Sequence, residues 1–439
     1  MLRAFSNAFK IPDLRGKILF TLAIIAVYRL GSFVPIPGVD YGVLQGVLEQ
    51  LETQGGIQAL LNLFSGGALS QLAVFALGIM PYITASIIMQ LLTVVIPKLE
   101  EWQKEGETGT KKITQWTRYL TIVLAVLQST ALIVLIQSGQ LFPGVPEAAG
   151  LIPDPSVPIR LLMILTLTAG TAFIMWLGEL ITQRGIGNGM SLIIFAAIVS
   201  ELPGQGSQIL ARDDGTILFI ILLLVALLLI VGVVFVEQGQ RRIPVQYAKR
   251  QVGRRTYGGT STYIPLKVNQ SGVIPIIFAS SLLYLPTLAA SIINRPGFTQ
   301  FTEAWFSGQI QPANPWPFVG YAVFFFLLVV FFAYFYTAIT FNPIDVADNM
   351  KKYGGFIPGI RPGRPTAEYL DRVLSRITFP GSMYLGTLSI LPLIVLGIAG
   401  VQFPLGGATL LIVVGVGLET MKQLESQLLQ RHYEGFLKD

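Results

Sequence analysis

Apolar residues fall into ten runs along the chain, at about 18–36, 72–97, 119–141, 159–181, 186–202, 216–236, 271–293, 316–341, 377–400 and 403–421. Polar or charged connectors separate them. A hydrocarbon core about 30 Å thick needs roughly 20 apolar residues per helix. The pattern therefore predicts ten membrane-spanning helices, the fifth being short and polar at its start. Ahead of the second run stands IQALLNLFSGGALSQL, apolar at helical spacing but too short to cross. Gly66-Gly67 breaks it, and polar Asn62, Ser65, Ser70 and Gln71 flank the break. Non-helical backbone at membrane depth survives only when buried in protein or lining a water-filled cavity. The segment reads as a short helix that enters the membrane without crossing it, a lid or plug. That points to a channel or a transporter.

Composition agrees with this class. Of 439 residues, 52% are hydrophobic and 12% charged, and mean hydropathy is +0.64. The basic start (Arg3, Lys10, Arg15, Lys17) precedes an apolar run without a small-residue cleavage site, so the first span is expected to stay in the mature protein. There is no cysteine and a single histidine, His432, which excludes disulfide and thiol chemistry and argues against a structural zinc site.

Charge then orients the spans. With a cytoplasmic N-terminus, ten spans put 26 of the 30 Lys/Arg on the cytoplasmic face. Arg160, Arg212 and Arg295 fall opposite, and Arg29 lies inside the first span. Cytoplasmic retention of Lys/Arg predicts that asymmetry for both termini inside. Two cytoplasmic loops, about 237–270 and 342–376, are long and dense in positive charge (GQRRIPVQYAKRQVGRR; GGFIPGIRPGRP). The ten spans divide into two sets of five, 1–202 and 203–439. An odd number of spans per half makes the halves inverted relative to each other.

Little in the chain supports catalysis. It lacks a Gly-x-Ser-x-Gly, a P-loop, a His-Glu-x-x-His and an intramembrane carboxylate pair, and Glu179 and Glu419 sit at span ends. The missing midplane acids also weigh against an ion-coupled transporter with a re-entrant loop, the chief alternative. Ile79 with Ile83, and Met190 with Ile194, are spaced i,i+4 and share a helical face. Spacing alone makes them ordinary packing residues; on converging faces they would form a hydrophobic constriction. Arg29 is read as snorkelling toward an interface or functional. Thr84, Gln90, Gln128 and Asn269 sit in or at the ends of spans and suit helix–helix adhesion or a separable seam. The long basic loops, with Tyr247, Tyr257 and Tyr353, suit docking to lipid or RNA phosphates or to an acidic protein.

Six blocks carry a family resemblance: NLFSGGALSQLAVFALGIMPYITASIIMQLL, KEGETGTKKITQWTRY, MWLGELITQRGIGNGMS, VEQGQRRIPVQYAKRQVGRR, IPLKVNQSGVIPIIFASS and FNPIDVADNMKKYGGFIPGIRPGRPT. In this combination and order, from about Arg29 to the last span, the chain resembles the SecY family of protein-translocation channels. The resemblance implies an all-α integral membrane protein of ten helices in two inverted halves, with a plug helix at about 57–70. It implies a conduit for unfolded secretory polypeptides that releases hydrophobic segments sideways into lipid, and neither an enzyme nor a cofactor protein. Under it the pore ring maps to Ile79, Ile83, Met190, Ile194, Ile277 and Ile412, with Met190 in place of the commoner isoleucine. The plug includes Leu60, Phe64, Ser65, Gly66 and Gly67, and the lateral gate Thr84, Gln128 and Asn269. Arg254, Arg255 and Arg361 become docking residues, while Gln238 replaces a residue often basic. Implied partners are SecE-type and SecG-type subunits, the SecA ATPase, the ribosome through its RNA phosphates and proteins, signal peptides and nascent chains, and membrane lipid. The implied location is a bacterial plasma membrane, or a thylakoid membrane in a photosynthetic source.

Overall fold

The computed structural model describes residues 11–51, 65–137, 150–154, 156–210, 215–247, 250–252, 255–257, 261–293, 295–306, 316–399 and 407–436. The helices before position 203 begin with α1 (Pro12–Gly31), α2 (Tyr41–Leu51), α3 (Met80–Val95) and α4 (Pro97–Lys104). They continue with α5 (Glu107–Gln137), α6 (Val157–Arg184) and α7 (Gly189–Leu210), the last running across that position. After it come α8 (Gly215–Gln238), α9 (Ile274–Ile293), α10 (Pro296–Phe306) and α11 (Trp316–Thr340). The last are α12 (Pro343–Lys352), α13 (Arg364–Ala399) and α14 (Gly407–Phe436). Every one of the ten apolar runs meets a helix. Proline opens α1, α3, α4, α6 and α12, where its missing N–H has no intrahelical partner to lose.

Among the described residues, α5, α6, α8 and the stretch Trp316–Lys352 are each long and apolar enough to cross a membrane. A further span results if α3 and α4, which meet at 100°, are taken as one. The protein is thus a multi-pass, helical membrane protein.

Two expectations change. The second span does not begin at residue 72, and the expected short helix does not extend to residue 70, because residues from Ser65 to Ile79 run mostly as turns. Gly66, Gly67 and Gly78 have φ of 63°, 79° and 56°, and Leu72 has φ of 42°. So many left-handed residues cannot lie in a right-handed helix. The backbone is satisfied otherwise: Ile36 N–H donates to Leu72 O (2.9 Å), and Val74 N–H to Val34 O (2.8 Å). Irregular chain at this depth is tolerated because it is paired and enclosed.

The basic loops also contain strands. β1 (Gln240–Tyr247), β2 (Arg250–Val252), β3 (Arg255–Tyr257) and β4 (Ser261–Lys267) lie in the first loop, and β5 (Gly355–Phe356) in the second. β1 pairs antiparallel with β4 from Gln240↔Lys267 to Gln246↔Ser261, and with β5 through Gln246↔Phe356 and Tyr247↔Gly355. The order β4-β1-β5 joins loops a hundred residues apart in sequence into one sheet. Within β1, Ile243 and Val245 are buried while Arg242, Pro244 and Gln246 are exposed, the period of a half-buried strand. Their inward face packs with Leu266, Met350, Ile357, Leu370 and Val373.

Candidate functional site: an apolar waist and a basic platform

One apolar cluster gathers side chains from α3, α6, α7, α9 and α14. Ile79 caps the start of α3 and is 1% exposed, Ile194 of α7 is 7%, Ile277 of α9 is 8% and Ile412 of α14 is 2%. Ile83 and Met190 are half-buried and pack against the same cluster. All six expected ring residues therefore converge, two helices supplying them before position 203 and two after it. The i,i+4 pairs, ambiguous in sequence, pack into one cluster. Ala68, Ala73, Phe75 and Val74 of the turn segment join the same cluster.

That segment is held from two sides. Tyr28 Oη donates to Ser65 O (3.2 Å), and Arg29 Nη1 to Gly66 O (2.6 Å). Arg29 also lies over the Phe33 ring at 4.7 Å. The charge that sequence placed inside the first span thus grips a backbone carbonyl. Tyr28 stacks on Phe75 with centroids 5.8 Å apart. On the other side, a Cβ at Gly67 would stand 2.2 Å from Glu201 Oε1 of α7, and its φ of 79° disfavours side chains independently. Ser65, Gly66 and Gly67 are accordingly the packed root of the expected plug. Leu60 and Phe64 lie outside the described residues.

The expected seam residues are not joined to one another. Thr84 Oγ1 donates to Met80 O within its own helix (3.0 Å), and Gln128 is half-buried on α5. Asn269, 3% exposed, donates through Nδ2 to Glu237 Oε1 (2.5 Å) and Gly272 O (3.2 Å). Its Oδ1 accepts from Ser271 Oγ (3.3 Å). These partners all lie after position 203. Helix α5 nevertheless packs against α9.

The platform presents Arg241, Arg242 and Arg361 exposed. Arg242 lies over the Tyr263 ring at 4.8 Å. Arg361 sits between Gly359 and Gly363, whose φ values are 83° and 102°, and its carbonyl accepts from Thr366 Oγ1 (2.8 Å). Arg255 pairs with Val252 at the β2–β3 tip; Arg254 lies outside the described residues.

Sequence reading missed two part-buried polar contacts. Arg118 of α5 meets Glu179 of α6 in a fork, Nε to Oε1 at 2.7 Å and Nη2 to Oε2 at 2.8 Å. Neither residue carries a local signal for the other. The second is the Glu237–Asn269 bond. The sheet did have a signal, the alternation of Ile243 and Val245 in RRIPVQY, masked by the surrounding charge.

Three comparisons bear on these features. The SecY family model matches residues 73–421. The protein translocase subunit SecY of Streptomyces scabiei is 58% identical, and that of Mycobacterium tuberculosis 55%, each over the full length of both chains. Among solved structures, one described as a protein conducting channel superposes with a TM-score of 0.66 at 17% identity, covering 95% of this chain and 96% of the other. Sec61 in the canine ribosome-channel complex gives 0.64 at 17% identity, with the same coverage.

Proposed function

Because the chain belongs to the SecY family, we propose that its apolar waist is the resting seal of a protein-conducting channel. The observation that carries this reading is the convergence of Ile79, Ile83, Met190, Ile194, Ile277 and Ile412 on one cluster from four helices. A narrow aliphatic constriction dewets and so blocks ions, yet its side chains have no fixed polar partners and can yield around a passing polypeptide. Met190 adds a flexible thioether to that ring. The segment rooted at Ser65–Gly67 covers the seal from the outer side.

The halves 1–202 and 203–439 act as two jaws. Packing between α5 and α9 is the line along which they part. An apolar stretch of the translocating chain leaves through that line into lipid, favoured by about 25 cal/mol per Å² of apolar surface buried. The fused sheet and its arginines face the cytoplasm, as do both termini. They receive the partner that supplies the energy, a SecA-type motor or a ribosome. The canine neighbour is described in a ribosome-channel complex, and a yeast Ssh1 complex of the same fold is described bound to the 80S ribosome. Arg254, Arg255 and Arg361 are the contacts assigned to that docking. SecE-type and SecG-type subunits complete the complex in the membrane.

Replacing Ile83 and Ile277 together by Asn tests the seal. Resting ion conductance in a planar bilayer should rise sharply, since amides hold water in the constriction. Conductance equal to that of the unaltered channel would overturn the assignment.

A further inference from the structure

The Glu237–Asn269 bond has no part in the seal, and its position in the fold is specific. Glu237 closes α8 just before β1, and Asn269 follows β4 just before α9. The pair therefore spans the two legs of the platform hairpin at its root. One backbone bond reinforces the crossing there, Val268 N–H donating to Gly239 O (3.0 Å), and Lys267 N–H is held within its own leg by Gln270 Oε1 (3.1 Å). Asn269 is buried, and its amide is fully engaged by Glu237, Gly272 and Ser271. Lys267 and Lys422 lie within electrostatic reach of the Glu237 carboxylate.

Two neighbours make the root stiff. On α13, a Cβ at Gly381 would stand 2.3 Å from Val268 O, so that helix presses directly on the root backbone. On the far side, α9 starts within a few residues of Asn269. Val273, just ahead of that helix, packs against the waist cluster, of which Ile277 is a buried member. A continuous path thus runs from the hairpin, through Asn269, to a ring residue. Each link on it is a hydrogen bond, a backbone contact or a helix turn.

We propose that Glu237 and Asn269 are positioning residues, a clamp that makes the platform hairpin and the start of α9 move as one body, so that load on the docked platform reaches the waist. Asn269 then belongs to the coupling between platform and seal and not to the seam with Thr84 and Gln128. The inference rests on the channel reading for its consequence, but the rigid coupling itself is measurable without it.

The chain has no cysteine, so spin labels can be placed at Thr262→Cys in β4 and Leu282→Cys on α9, both exposed positions, in the assembled membrane complex. With the clamp intact, pulsed dipolar spectroscopy should give one narrow distance distribution. Asn269→Asp sets two carboxylates face to face and should broaden or split it. Adding Glu237→Gln restores a donor opposite the new carboxylate and should return the narrow distribution, which a merely destabilised hairpin would not do. In the same variants, ribosome affinity should stay within about twofold, while conductance evoked by a docked ribosome–nascent-chain complex falls about tenfold in Asn269→Asp and recovers in the double variant, tenfold being the worth of one charge-assisted hydrogen bond. An unbroadened distribution in Asn269→Asp, or no recovery in the double variant, overturns the clamp. A distance response without any evoked conductance in the unaltered chain would instead count against the channel reading.

Discussion

The waist and the platform are both small bodies built by distant parts of the chain, but they are held together in opposite ways. The waist is aliphatic, its members come from four helices, and few directional bonds connect them. The platform is a hydrogen-bonded sheet with a fixed register, and its apolar side chains line one face only. Dispersion and apolar burial are non-directional, so a waist can spread and reclose over many arrangements of nearly equal energy. A ladder of backbone bonds cannot: a one-residue slip would turn Ile243 and Val245 outward. The difference suits one region to deformation and the other to transmitting it.

Substitutions can break that contrast. The largest effect is expected at Ile79. Its side chain is 1% exposed, and Ile79→Asn leaves an amide in an apolar cluster while removing methyl groups, at a cost of about 3–5 kcal/mol. The unfolding transition of the purified complex should fall steeply. The half-buried neighbour Ile83 should tolerate Asn far better while leaking ions more, so stability and conductance separate across one turn of α3.

The corresponding platform substitution is Val245→Ala, which removes buried methyls from the sheet face and should cost about 1–3 kcal/mol. Its signature is local. Hydrogen exchange should accelerate in 240–267 and at Gly355–Phe356 together, because the three strands share one core, while resting conductance stays unchanged. Acceleration in only one of the two loops would show that they are not a single body.

The smallest effect on stability is expected at Arg361, an exposed side chain between two left-handed glycines. Arg361→Glu should change the unfolding midpoint by less than about 0.5 kcal/mol. It should nevertheless impair motor-driven translocation more than ribosome binding. An equal effect on the two, or none, would remove Arg361 from the docking surface.

How much of this was legible in the sequence varies by region for physical reasons. Apolar runs of the right length announce helices because every backbone bond in such a helix closes locally, so all ten runs meet one. The break at Gly66-Gly67 announced irregular backbone, since glycine is the residue that adopts positive φ without strain. The extent of that irregularity was not visible, because Leu72, with φ of 42°, pairs with Ile36, a residue distant in sequence. Which aliphatic residues share one cluster was suggested by family resemblance and not by spacing, for aliphatic pairs at i,i+4 occur throughout the chain. Asn269 was visible as a polar residue at a span end, while its partner, 32 residues away, was not.

By itself the sequence determined that this is a membrane protein, where its helices lie, which residues break them and where positive charge concentrates. Those properties depend on neighbours along the chain, through helix length, φ preference and composition. Only the tertiary structure decided which aliphatic faces meet at the waist, that Arg29 holds a carbonyl, that two loops share one sheet, and that Glu237 closes on Asn269. Each of these joins groups far apart in sequence, and the packing that selects one pairing over its chemical equivalents is a property of the whole fold.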